Sequence, residues 1–339
     1  MTQPEDNVRS LMFPYIVADI GGTNVCLGLV SGRNETTADY EICELWSQST
    51  ENFDGFESCL DAYIATLTGQ RPTNACIAIA GPITADHVQM TNQSWNFSIS
   101  GLRKKFGLKR LEVINDFAAL AYSTLNVSVH DLTVVHAGTP IADAPRAIIG
   151  PGTGLGIAAL VPTAVGWQPV PGEGGHIAFA PHNGKTAQIL ELIRHDMEYV
   201  CAESLLSGPG LARLHQALAV IEGRATETLS PEQITAHAVA GTDPACRETL
   251  DLFCHLLGRT AGDVSLIYGA RGGVFLGGGI LPRIEAILLE SDFMDGFQSK
   301  GLMRDYLENI PVYLMTGKHP ALLGAASWFY DQKSGQSQL

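Results

Sequence analysis

Two stretches of this chain are built from residue types that handle anions. Tyr15-Ile16-Val17-Ala18-Asp19-Ile20 runs into Gly21-Gly22-Thr23-Asn24 and leaves through Val25-Cys26-Leu27-Gly28-Leu29-Val30. Ala147-Ile148-Ile149 runs into Gly150-Pro151-Gly152-Thr153-Gly154-Leu155-Gly156 and leaves through Ile157-Ala158-Ala159-Leu160-Val161. Each reads as strand, glycine turn with a threonine, strand, the turn calling for the positive φ that only glycine tolerates. Free N–H groups in such turns make a cradle for anions. The shared grammar is an internal repeat of domain size. Two such hairpins facing each other would clasp a polyphosphate from both sides, with Asp19 holding a magnesium ion through water. The competing reading of each is an ordinary hairpin turn.

Three further places carry chemistry-bearing residues. Leu111-Glu112-Val113-Ile114 is a strand that delivers Asn115-Asp116 at its C-terminal end, the edge where open α/β sheets bind ligands. An aspartate there is also a helix N-cap candidate. Pro171-Gly172-Glu173-Gly174-Gly175-His176 sets a carboxylate and an imidazole three residues apart among glycines, although a single loop histidine is more often structural. Val274-Phe275-Leu276 followed by Gly277-Gly278-Gly279 and a helix opened by Pro282 is anion-binding geometry that any βα turn can share.

The elements that must position these residues form an α/β pattern. Phe53, Phe56, Leu60, Tyr63, Ile64 and Leu67 predict an amphipathic helix over about 50–68, and Ala75–Ala80 a strand buried on both faces. The second half is richer in helix: about 186–200, 211–221 after a break at Ser207-Gly208-Pro209-Gly210, one opened by the capping box Ser230-Pro231-Glu232-Gln233, and a long one from Asp243 to Ile267. Val312–Met315 and a last helix from Pro320 close the pattern. At 339 residues the chain exceeds the roughly 250–300 at which one core stops growing, so two domains with a cleft are expected. The chain crosses from one to the other between residues 117 and 146.

Composition excludes several classes. Lys plus Arg total 21 against 35 Asp plus Glu, a net charge of −14 that repels nucleic acid and acidic membrane surfaces. No run of eighteen apolar residues offers a membrane span, and the polar start lacks signal-peptide character, so a cytoplasmic location is expected. Seven cysteines without C-x-x-C pairing read as buried apolar fillers. Gly184-Lys185-Thr186 resembles the end of a Walker loop, but the required earlier glycine falls on Phe179.

Taken in order, Asp19–Asn24, Ile114-Asn115-Asp116, Gly150–Gly156, Gly172–His176, Ser204–Gly210 and Gly277–Ile280 resemble the bacterial ATP-dependent glucokinase family of the actin-like and sugar-kinase superfamily. The resemblance implies two ribonuclease-H-like domains around a central cleft, with duplicated mixed sheets flanked by helices. The division expected is 12–126 plus 317–335 for a small α/β domain and 127–316 for a large one. It implies that MgATP phosphorylates the C6 hydroxyl of glucose, with Asp116 as catalytic base and Asn115, Glu173, His176 and Glu203 binding the sugar. Asp19, Gly21, Gly22, Thr23, Asn24, Gly152, Thr153 and Gly154 would hold the phosphates and magnesium, and Gly277, Gly278 and Gly279 would lie against adenosine. A homodimer is compatible with it. Cys26 departs from the family's first motif, which commonly continues to arginine. The rival readings are a kinase for another hexose or with polyphosphate as donor, and a sugar-sensing protein without catalysis. Only about fifteen residues precede the first strand, too few for a helix-turn-helix.

Overall fold

The computed structural model describes residues 13–81, 83–90, 95–225 and 228–332. Residue 12 and residues 333–335 of the expected small domain lie outside these. The chain divides into two compact units: one takes the described residues up to Val129 together with those from Gly317 on, the other His130–Thr316.

In the first unit β1 (Tyr15–Ile20), β2 (Asn24–Arg33) and β3 (Tyr40–Ser49) form an antiparallel meander. Helix α1 (Phe56–Thr66) leads to β4 (Asn74–Ile79), parallel to β1. A small antiparallel sheet follows, β5 (Ile83–Thr84), β6 (His87–Gln89) and β7 (Asn96–Ser98), then α2 (Ile99–Phe106). Strand β8 (Arg110–Asn115) pairs parallel with β4 and passes directly into α3 (Asp116–Ser123). The main sheet has the order β3-β2-β1-β4-β8.

Strand β4 reads as an unbroken apolar run because both of its faces are covered. Ala75, Ile77 and Ile79 join a core with Phe56 and Leu60 of α1 and Leu102 of α2, whereas Cys76 and Ala78 face a second core. Tyr15 and Val17 of β1 also belong to that second core. Asp19, two residues further along the same strand, therefore points to that face too.

The second unit repeats the plan. After β9 (Leu132–His136), strands β10 (Arg146–Pro151), β11 (Leu155–Thr163) and β12 (Gly166–Gly172) make an antiparallel meander. Helices α4 (Gly184–Arg194), α5 (Gly208–Ile221), α6 (Pro231–Ala240) and α7 (Pro244–Tyr268) precede β13 (Val274–Leu276). Short helices α8 (Glu285–Glu290), α9 (Phe293–Gln298) and α10 (Arg304–Glu308) then lead to β14 (Val312–Met315). The sheet order β12-β11-β10-β13-β14-β9 matches the first sheet strand for strand, with β9 added at one edge. The repeat in the sequence is thus a repeat in topology.

Helix α11 (Pro320–Asp331) returns the chain to the first unit. A Cβ on its Gly324 would overlap the Ala119 carbonyl of α3, so α11 and α3 meet backbone to backbone. Ala119, Leu322, Ala325 and Phe329 share the second core with Val17.

Several details differ from the sequence reading. Gly208-Pro209-Gly210 does not break the chain; it forms the first turn of α5, where proline's missing N–H costs nothing, under a Ser207 cap that accepts the Gly210 N–H. Helix α4 stops at Arg194, because the chain beyond turns so that Val200 O can accept the Phe179 N–H and Cys201 can bridge to Ala178. Five of the seven cysteines are buried, but Cys26 on β2 is only partly so and Cys43 on the edge strand β3 is exposed. The exclusion of a Walker loop, by contrast, agrees with the structure: Lys185 bonds Glu248 at 2.6 Å, and Thr186 completes a capping box with Asn183.

Candidate active site

The first glycine turn joins β1 to β2, closed by the Gly21 N–H donating to Asn24 O at 2.9 Å. Buried Thr50 braces it from outside, its N–H and Oγ1 donating to Thr23 O at 3.0 and 3.1 Å. The Thr23 and Asn24 side chains are exposed. The second turn joins β10 to β11 through Gly152, Thr153 and Gly154, with the Gly152 N–H donating to Gly154 O at 2.8 Å. Neither turn uses a positive φ: Gly278 is left-handed, at φ +81, but Gly21, Gly22, Gly150, Gly152 and Gly154 are not. Glycine is needed at Gly154 for space instead, since a Cβ there would stand 2.5 Å from Glu203 Oε2.

Gly277–Gly279 lies against this second turn. The Gly277 N–H donates to Ile149 O at 2.9 Å, and a Cβ on Gly278 would overlap Pro151 O. Helix α5 adds its N-terminus, Gly208 donating its N–H to Gly152 O at 2.8 Å. One hairpin turn, one βα-type turn and one helix start therefore gather at the C-terminal ends of β10 and β13, where backbone donors and the helix dipole favour an anion.

Asn115 and Asp116 divide their labour in a way their order alone does not disclose. Asn115 is the N-cap of α3, its Oδ1 accepting the Ala118 N–H at 3.0 Å. Asp116 occupies the first helical position, released from capping. Its Oδ1 accepts from Asn115 Nδ2 at 3.0 Å and from the Phe117 N–H at 2.9 Å. The carboxylate is thus aimed by its neighbour and favoured as an anion by the helix N-terminus.

Asp19 sits on the sheet face that α3 covers, within electrostatic reach of Asp116. Burial first, and the Asp116 charge second, push its carboxyl up to about 7. Across the β1–β2 ladder its partner is Cys26, whose Sγ lies 3.3 Å from Ser47 Oγ and whose thiol is pushed up by burial. No cation is among the groups that act on Asp19. A partly buried acidic pair that offers hard oxygen donors fits a magnesium ion that arrives with phosphate groups. Among the described residues no group of three or more His, Cys, Asp or Glu could hold a metal by itself.

Glu203 holds two loops of the second unit together. Its Oε2 accepts the Leu155 N–H at 2.8 Å, and its own N–H donates to Gly175 O at 2.8 Å. It therefore ties the Gly152–Gly154 turn to the glutamate-histidine loop, a structural duty that its sequence position beside Ser204 does not signal. Oε1 makes no hydrogen bond to the described residues and is the oxygen left for a ligand. Glu173 and His176 flank one 3-10 turn with both side chains exposed, and Tyr199 Oη donates to His176 O at 2.9 Å. Asp19, Gly21–Asn24, Asn115 and Asp116 belong to the first unit; Gly152–Gly154, Glu173, His176, Glu203 and Gly277–Gly279 belong to the second.

Comparison with known proteins decides the family. The family model described as Glucokinase matches residues 16–332. The chain belongs to the glucokinase family. A curated glucokinase from Saccharophagus degradans is 43% identical over 317 residues, 94% of this chain and 98% of the relative. The crystal structure of a glucokinase from an Antarctic psychrotroph superposes with a TM-score of 0.86 at 39% identity, covering 94% of this chain and 99% of that one. A ROK family glucokinase from Streptomyces griseus, crystallised in complex with glucose and AMPPNP, shares the fold at 18% identity, with a TM-score of 0.64 and coverage of 93% and 98%. This glucokinase-family chain has the actin-like architecture of two α/β units with matching mixed sheets. Among its described residues no helix is long and apolar enough to cross a membrane.

Proposed function

We propose that this chain transfers the terminal phosphoryl group of MgATP to the C6 hydroxyl of glucose in the cytoplasm, giving glucose 6-phosphate and ADP. The reading rests above all on Asp116, oriented by Asn115 and the Phe117 N–H at the C-terminal end of the parallel strand β8, in a chain of the glucokinase family. Asp116 takes the proton of the C6 hydroxyl as that oxygen bonds to phosphorus. The bond from phosphorus to the bridging oxygen breaks, and its electron pair leaves with ADP. Asn115 keeps one amide proton and one lone pair beyond those it spends on Ala118 and Asp116, enough to engage a neighbouring hydroxyl.

Glu173, His176 and Glu203 Oε1 bind the remaining hydroxyls. A sugar lacking one of them would leave a polar group unpaired, at ~1–3 kcal/mol. The Gly21–Asn24 and Gly152–Gly154 turns take the phosphates, and Gly277–Gly279 lies against adenosine. Asp19 holds the magnesium ion, which when bound neutralises charge on the triphosphate. The test is a coupled assay of the purified chain with MgATP against glucose, mannose, fructose and N-acetylglucosamine. Turnover highest on glucose supports the proposal; preference for another hexose reassigns the substrate, and sugar binding without turnover leaves a sensor.

A further inference from the structure

Away from the candidate active site, two histidines of the second unit face one another. His182 precedes Asn183, the N-cap of α4, and His255 lies in α7. Their Nε2 atoms are 3.3 Å apart. The partners of the other nitrogens settle where the protons are. His255 Nδ1 lies 3.3 Å from the carbonyl oxygen of Asp292, which can only accept, so Nδ1 carries the proton and Nε2 a lone pair. Asn183 Oδ1 accepts the Thr186 N–H at 2.9 Å, which fixes the direction of that amide. Asn183 Nδ2 then lies 3.1 Å from His182 Nε2 with only protons to offer, so this nitrogen too presents a lone pair. His182 Nδ1 faces Thr186 Oγ1 at 3.5 Å. His182 Nε2 has one lone pair, engaged by Asn183 Nδ2, so an ion bound there takes that amide's place; neither nitrogen donates to the other across the 3.3 Å separation.

That separation is the bite of a metal ion. Two imidazole nitrogens at ~2.0–2.1 Å from a tetrahedral ion are about 3.3–3.4 Å apart. A histidine that ligates a metal characteristically donates its other N–H to a carbonyl or carboxylate, as His255 does to Asp292. The framework behind it is stiff: a Cβ on Gly258 would overlap Phe293 O, and one on Gly296 would overlap His255 O, so α7 and α9 touch backbone to backbone.

We propose that His182 and His255 chelate one first-row transition ion of the Zn2+ and Cu2+ class, the ions that imidazole favours, with water completing the shell. No cluster of three protein ligands exists among the described residues, so the ion is exchangeable. Arg259 and Lys300 act electrostatically on His182 and weaken the site, although Lys300 is itself paired with Asp263 Oδ1 at 2.6 Å. The bound ion would staple the start of α4 to α7.

The test uses tag-free, chelator-treated full-length chain. Zn2+ titrated by calorimetry should bind, a Cu2+ loaded sample should show two imidazole nitrogens by electron paramagnetic resonance, and Zn2+ should raise the unfolding midpoint. His182→Gln and His255→Gln should each weaken Zn2+ binding by at least about tenfold and abolish the midpoint shift, with midpoints in chelator near that of the wild type. Absence of Zn2+ uptake by the wild type, or binding unchanged in both variants, overturns the proposal. Should a variant fail to fold, the wild-type Cu2+ spectrum still decides, and a spectrum without imidazole nitrogens overturns it.

Discussion

Replacing Asp19 by asparagine should make the ligand-free protein more stable while disabling it. The folded chain raises the Asp19 carboxyl from 3.8 to about 7, mainly by burial and then by the Asp116 charge. Between about pH 4 and 7 the unfolded chain has released this proton while the folded chain still holds it. Stability attributable to the group therefore falls as pH rises through that window and levels off above it. A shift of about three units at 1.36 kcal/mol each gives about 4 kcal/mol, reduced to about 2–4 by water that still reaches this partly buried carboxylate. Asp19→Asn removes that cost. Urea unfolding in metal-free buffer should place the variant about 2–4 kcal/mol above wild type at pH 8, and the advantage should shrink by about half at pH 5. Phosphoryl transfer with MgATP should meanwhile fall steeply. Equal stability of the two proteins at pH 8, or an advantage that does not change with pH, would refute the reasoning.

Two further substitutions probe the neighbouring contacts. Cys26→Arg sets a cation opposite Asp19 on the adjacent strand and should stabilise the ligand-free chain by about 1–3 kcal/mol at pH 8 and by less at pH 5; identical unfolding curves at pH 8 would show that the guanidinium does not reach the carboxylate. Gly154→Ala drives a Cβ to 2.5 Å from Glu203 Oε2 and should cost ~1–3 kcal/mol by displacing Glu203 from the Leu155 N–H. The same variant should raise the hexose KM; a wild-type melting midpoint would mean that the loops adjust freely.

The parts of the structure legible in the sequence were those written in local patterns. Strands β4 and β10 announced themselves as unbroken apolar runs because each is covered on both faces, and the Ser230 capping box forms as read, Gln233 Oε1 accepting the Ser230 N–H at 2.9 Å. The two hairpins could be paired as a repeat because each joins two antiparallel strands, β1 to β2 and β10 to β11, through a glycine turn. What escaped depends on contacts distant along the chain. The bond from Leu155 to Glu203 spans 48 residues, and no spacing rule points to it. Strands β5–β7 are two or three residues long, too short for a period to show. Asn115 and Asp116 are adjacent cap candidates of similar strength, and only the backbone decides that Asn115 caps while Asp116 stands free of that duty.

The central claim is that the Asp116 carboxylate takes the proton of a hexose hydroxyl, and Asp116→Asn tests it most directly, since the amide keeps an oxygen for Asn115 and the Phe117 N–H. Turnover with MgATP and glucose, measured beside glucose affinity by calorimetry, should drop ~10²–10⁴-fold while affinity stays within about tenfold of wild type. Turnover within a few-fold of wild type would contradict the account.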